Sequence, residues 1–252
     1  MVRLNKILKI IGAYSIFTYS ILITFYLFWK RRYLLLSQLK RIGYDSTLLI
    51  IVTSAFTGLV TALQATYQTK GYIPLSLISV MVAKTSMIEL SPVLTGLVLS
   101  GKVGATISAE IGSMKVSEQI DALDTMSVNQ YEFLYMPRVI ACLFMFPILT
   151  VVSIFVAIIS AFIFSNKMYH LSSYTYFENM KAFFEPLDLW LGLTKAAVFG
   201  FIVSSIATFS GSITRNGAEG VGIATTNTVV YSSIGILMSD FIVAQVIFGG
   251  LL

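Results

Sequence analysis

Apolar residues run along this chain in long blocks, and the blocks set the expected elements. They lie at about 10–29, 46–69, 72–111, 134–165, 189–214 and 228–252. Most are near or above the roughly 20 residues that carry a helix across a ~30 Å hydrocarbon core. The third spans 40 residues, about 60 Å as a straight helix. It must bend at Pro92, project from the bilayer, or both.

Charge collects between the blocks. Lys30, Arg31, Arg32, Lys40 and Arg41 crowd one short connection, and such an excess of basic residues marks a cytoplasmic loop. Five later spans then place 70–72 (with Lys70) and 166–188 outside, and 112–133 and 215–222 inside. Arg3, Lys6 and Lys9 precede the first block and the basic cluster follows it. A full crossing would export one of the two sets, so the first block is read as a helix in the cytoplasmic interface. This divides the chain into an interfacial or elbow region, 1–45, and a membrane-spanning unit, 46–252.

Composition narrows the class. Of 252 residues, 56% are hydrophobic and 12% charged, about half the charged fraction of a soluble domain. Too little polar surface remains for a water-soluble globule, so the chain is an integral membrane protein. Its net charge of +5 belongs to membrane topology and not to nucleic acid. One cysteine (Cys142) and one histidine (His170) leave no disulfide framework and no Cys-rich or His-rich metal site. Cys142 reads as a small packed side chain. No metal, cofactor or signal peptide is expected; the first block is too long for a signal peptide and lacks a small-residue cleavage site.

Several motifs remain. "GLVLSGK" at 96–102 fits most of a phosphate-binding loop, but Val103 follows where Ser or Thr must hold magnesium. "GAEGVG" at 217–222 reads as a turn, supported by Asn216-Gly217. Gly104, Ser108 and Gly112 recur every four residues with Gly101 beside them, a spacing that lets membrane helices approach closely. Lys84 and Glu89 are ionisable groups in the third block, and Pro92 removes a backbone donor nearby. Such groups face a cavity or a partner, or sit at the outer interface where Lys84 snorkels; the cavity is the preferred reading. In 108–126, "SAEIGSMKVSEQIDALDTM", Val116, Ile120, Leu123 and Met126 fall on one helical face, with Glu118, Gln119, Asp121 and Asp124 around the rest. Ser117 is placed to cap that helix. A short amphipathic helix on the cytoplasmic side needs something to pack on.

Four stretches carry a family resemblance: "ELSPVLTGLVLSGKVGATISAEIGSMKVSEQIDALDTM" (89–126), "FTGLVTALQ" (56–64), "PRVIA" (137–141) and "GVGIATTNTVVYSSIGILMSDF" (220–241). The chain from about residue 38 to its end resembles the MlaE family, permease subunits of lipid-transporting ABC systems. The resemblance implies an all-α integral membrane protein: an N-terminal interfacial helix, then five transmembrane helices, with a short cytoplasmic coupling helix between the second and third. It implies a permease homodimer, a separate ABC ATPase subunit, an MCE-domain lipid-binding partner and phospholipid as cargo. The expected role is to sustain outer-membrane lipid asymmetry or supply lipid to an envelope, from the cell inner membrane or a plastid inner envelope. On this reading Val116, Glu118, Ile120, Asp121, Leu123 and Met126 dock the ATPase. Glu89, Lys84 and Gln64 hold lipid, and Gly101, Gly104, Ser108 and Gly112 pack helices.

Two departures stand out. The family's Arg-Glu before the proline is Ile88-Glu89 here, and Lys84, one turn before position 88, is the available substitute cation. The family's "GRVG" is "GKVG" at 101–104. An ion-coupled secondary transporter is the alternative function, disfavoured by scarce intramembrane acids and no visible inverted repeat. An intramembrane enzyme lacks a catalytic set.

Overall fold

The computed structural model describes residues 2–27, 32–69, 74 and 77–249, and all of its regular structure there is helical. The helices are α1 (Val2–Thr24), α2 (Arg32–Thr69), α3 (Ile78–Thr85), α4 (Ser91–Leu99), α5 (Ala105–Val116), α6 (Gln119–Thr125), α7 (Met136–Tyr169), α8 (Ser173–Ala182), α9 (Pro186–Ser212) and α10 (Gly217–Gly249). π-Helical stretches at Ser86–Leu90 and Ser100–Gly104 join α3, α4 and α5 into one continuous rod, and a third at Tyr131–Tyr135 leads into α7. Among the described residues, five units are long and apolar enough to cross a membrane: Arg32–Gln68, Ile78–Val116, Tyr131–Tyr169, Pro186–Ser212 and Gly217–Val246. The apolar part of α1, Leu8–Thr24, is shorter. The protein is a multi-pass, all-α membrane protein.

Several boundaries differ from the sequence reading. Arg32, Lys40 and Arg41 lie on α2 itself, because Arg and Lys are good helix formers and Arg41 finds an acidic partner on α5. The division at 45/46 therefore falls inside a helix. Lys30, Arg31 and Lys70 lie outside the described residues. The glycine run at 217–222 forms the first turns of α10, and the turn sits just before it. There Asn216 and Gly217 both take left-handed backbone, φ 67° and 64°. At Pro92 the rod stays helical: the preceding π turn, Ser86–Leu90, absorbs the missing amide. Ser117 does not cap α6; its hydroxyl donates back to the Ser113 carbonyl. Glu118, with φ 59°, turns the chain instead.

Without a hydrophobic drive between helices in lipid, close packing must hold the bundle. α9 is its axis, carrying glycines where other backbones touch it. A Cβ on Gly200 would sit 2.6 Å from the Cys142 carbonyl oxygen, and one on Gly192 would collide with the Met87 carbonyl oxygen. On α2, Gly58 similarly admits the Ala157 carbonyl of α7, and Ser54 donates to Ser153 across the same pair at 2.8 Å. Such an interhelical bond contributes about 0.6 kcal/mol. The core is filled by Leu99, Ile111, Cys142, Phe146, Phe199 and Val203. α1 is fastened by side chains: the Tyr14 hydroxyl bonds the Ser205 hydroxyl at 2.7 Å, and Phe17 packs on Tyr135 and Phe209. On the side away from α6, Tyr176 of α8 is fully buried, and burial pushes its hydroxyl pKa up.

Candidate functional site

Two places combine charge with irregular backbone. The first is an ionic trio. Glu89 lies in the π turn before Pro92, Lys195 on α9 and Asp240 on α10. The Lys195 ammonium sits 2.6 Å from Glu89 Oε1 and 2.8 Å from Asp240 Oδ1. Its side chain is 1% exposed, those of Glu89 and Asp240 40% and 23%. Neither contact has the alignment of a directed hydrogen bond, so the pairing is ionic and Lys195 keeps donor capacity. The trio balances two carboxylates against one cation and opens towards α10. Gly192, one turn before Lys195, lets α9 press against the π turn. The π turn is what swings Glu89 to α9, since a widened turn re-aims the side chains around it.

α10 is the open side of the molecule. Only 11% of its apolar stretch is buried, against 50% for α9. Ile234, Leu237, Met238 and Phe241 are exposed beside Asp240.

The residues expected to hold lipid do not come together. Glu89 joins the trio. Lys84 is not paired with Glu89: its ammonium pairs with Glu185 at 2.8 Å and Asp188 at 3.5 Å. Its acidic partners, at and just inside the start of α9, hold Lys84 there and not against Glu89. Gln64 is exposed on α2 and has no hydrogen bond to either residue among the described residues.

The second place is the α5–α6 corner. Ile120 is 1% exposed and packs into the main core, so it anchors α6 and is not offered to a partner. Val116 ends the preceding helix and is exposed. The break at Ser117–Glu118 removes it from the face of α6. Leu123 is half-buried, and Met126 is 72% exposed. Asp121 pairs with Lys115 at 2.6 Å, pinning α6 to α5. Asp124 accepts from Gln130, which accepts from the Tyr135 hydroxyl, linking α6 to the foot of α7. Just above, Glu110 of α5 is held by Arg41 of α2 and, at 3.2 Å, by Arg138 of α7.

Of the small residues, Gly104 faces Val203 and Thr228, Gly112 faces Thr214, and Ser108 is fully buried. Gly101 is exposed, with nothing within 4 Å of a Cβ placed on it, so among the described residues no helix packs against it. Lys195, Asp240 and the α9 glycines were absent from the sequence reading. A signal for the first two exists, because each is the lone charge of its apolar run.

The family model described as Permease MlaE matches residues 35–246. The chain belongs to the MlaE permease family. A probable ABC transporter permease protein of Rickettsia bellii is 37% identical over 249 residues, covering 98% of this chain and 95% of the relative. One from Synechocystis is 35% identical over 215 residues, covering 85% of this chain and 82% of the relative. The Arabidopsis thaliana protein named trigalactosyldiacylglycerol 1, chloroplastic, is 35% identical over 216 residues, or 85% of this chain and 61% of the relative. A family permease with candidate spans throughout fits a transporter's membrane subunit better than an enzyme.

Proposed function

We propose that this MlaE-family permease moves phospholipid, using the Glu89–Lys195–Asp240 trio as the station for the polar head group. The observation that carries this reading is the buried Lys195 ammonium. It is ionically held but not fully hydrogen-bonded, on the side of the bundle that the chain leaves uncovered. Apolar walls with a few convergent polar groups suit an amphiphile, and a relative is named for a diacylglycerol lipid. Both acids are already ion-paired to Lys195, which suits ion coupling less well.

The exposed face of the second half of α10, with Ile234, Leu237, Met238 and Phe241, is the surface for a second permease copy, which would enclose the trio between two chains. α6, with Met126 and Leu123 outward and Ile120 rooted in the core, is the docking point of an ABC ATPase subunit that hydrolyses ATP. Asp121 and the Asp124–Gln130–Tyr135 chain then pass its displacement to α5 and α7. An MCE-domain subunit would receive or deliver lipid at the opposite face, near α8. The test is purification of the tagged chain from its membrane. It should bring an ATPase polypeptide and a second copy of itself, and release phospholipid identifiable by mass spectrometry. Lys195→Met should lower that phospholipid without dispersing the subunits. Recovery of the complex with unchanged phospholipid in the variant would remove the head-group role.

A further inference from the structure

On the α6 side of the bundle, α1, α9 and the first half of α10 diverge around a trough of about 560 Å³. Its walls are largely apolar, with Ile10 from α1, Phe209 from α9, Ile213 just after that helix and Ile223 from α10. Ile10, Ile213 and Ile223 are exposed, so no described part of the chain covers them. Several polar groups interrupt the walls, Arg215 and Asn227 among them. Arg215 stands in the α9–α10 turn at one end, and Asn227 lies about 15 Å along α10 from the helix start. Among the described residues, neither side chain has a hydrogen-bond or ion-pair partner. Arg215 is also held in place by its turn. Asn216 and Gly217 are both left-handed, and a Cβ on Gly220 would collide with the Arg215 carbonyl.

An apolar trough closed at one end by an unneutralised guanidinium fits one ligand chemistry: an acyl chain attached to an anionic head group. A protein segment would need a carboxylate at one end and an apolar run behind it. A bilayer supplies the required combination in every anionic lipid.

We propose that the trough is a resident site for an anionic phospholipid in the leaflet facing α6, with an acyl chain along Phe209, Ile213 and Ile223 and the phosphate on Arg215. It is separate from the trio: Asp240 lies about 35 Å further along α10 than the Arg215 turn, roughly one bilayer thickness. The site does not depend on the lipid-transport reading, since a permease for any cargo can carry a bound lipid.

The experiment places a photo-activatable amino acid at Ile223, and at the exposed Phe56 of α2 as a bulk-lipid control. The full chain, with the subunits that accompany it, is reconstituted in phosphatidylcholine vesicles containing phosphatidylglycerol. Position 223 should capture phosphatidylglycerol over phosphatidylcholine about fivefold beyond the bilayer ratio, the preference that one basic side chain confers near a membrane surface. Arg215→Gln should reduce that to the composition captured at Phe56, and Arg215→Lys should retain most of it. Arg215 is exposed and unpaired, so the melting temperature should not move in either variant. The same lipid composition at positions 223 and 56 would mean annular lipid and overturn the proposal. Capture of a second copy of the chain or of another polypeptide at 223 would overturn it as well.

Discussion

Replacing Lys195 by methionine keeps the length of a fully buried side chain and deletes the charge that two carboxylates share. Wild-type separations of 2.6 and 2.8 Å leave Glu89 and Asp240 facing one another across the vacated position. Removing one partner of a buried ion pair costs about 3–5 kcal/mol. The acids are partly exposed, at 40% and 23%, which places the loss near the low end, about 3 kcal/mol. That is a large share of the roughly 5–15 kcal/mol that holds a domain folded, and it corresponds to a fall of about 6–12 °C in melting temperature for a chain of this size. Thermal unfolding in detergent, followed by tryptophan fluorescence, measures it. The neutral triple variant Glu89→Gln/Lys195→Met/Asp240→Asn leaves no uncompensated charge and should recover most of the loss. It should still fail to retain lipid head groups. A melting temperature for Lys195→Met within about 2 °C of wild type would refute the claim that the trio is cohesive. A triple variant as unstable as the single one would refute the electrostatic origin of the loss.

Further outcomes follow from the geometry. Ile120→Asp buries an unpaired charge in the chain's own core and should prevent a folded permease from accumulating, by several kcal/mol. Leu123→Asp and Met126→Asp should leave the fold intact but lower co-purification of the ATPase on pull-down. Gly192→Ala should destabilise the chain in a detergent melt, because its methyl meets the Met87 backbone, whereas Gly101→Ala, in open space, should be neutral or gain up to about 1 kcal/mol from helix propensity. Glu110→Gln strips the partner from Arg138, 8% exposed, and should cost about 3 kcal/mol. Lys84→Ala removes an exposed pair with Glu185 but also strips the cation from Asp188, whose side chain is 9% exposed, and should cost about 3 kcal/mol.

The spans were legible because hydropathy alone sets them: long apolar blocks have only helices available to them in lipid. Family membership was legible from 89–126, and so was Glu89. Its partner was not, because pairing Lys195 and Asp240 with Glu89 needs the crossing of three helices separated by over a hundred residues. Lys84 looked like that partner because the acids it does pair with, Glu185 and Asp188, lie over a hundred residues further along the chain. Ile120 fitted the periodicity of an exposed apolar face. The same periodicity serves a face turned inward, and only the corner at Glu118 decides which. Gly101 sits beside the four-residue series of Gly104, Ser108 and Gly112, yet its position on the rod points away from Val203 and Thr228, which Gly104 meets, and a sequence spacing does not say which side of the rod the neighbours occupy.

ATP-driven lipid movement tests the central claim most directly. The permease and its co-purified ATPase are reconstituted into vesicles carrying a quenched fluorescent phospholipid, and ATP is added. The account predicts phospholipid movement that needs hydrolysable ATP, is abolished in the neutral trio variant and persists when ion gradients are collapsed. Movement driven by an ion gradient without ATP, or ATP-dependent movement unchanged in the trio variant, would contradict it.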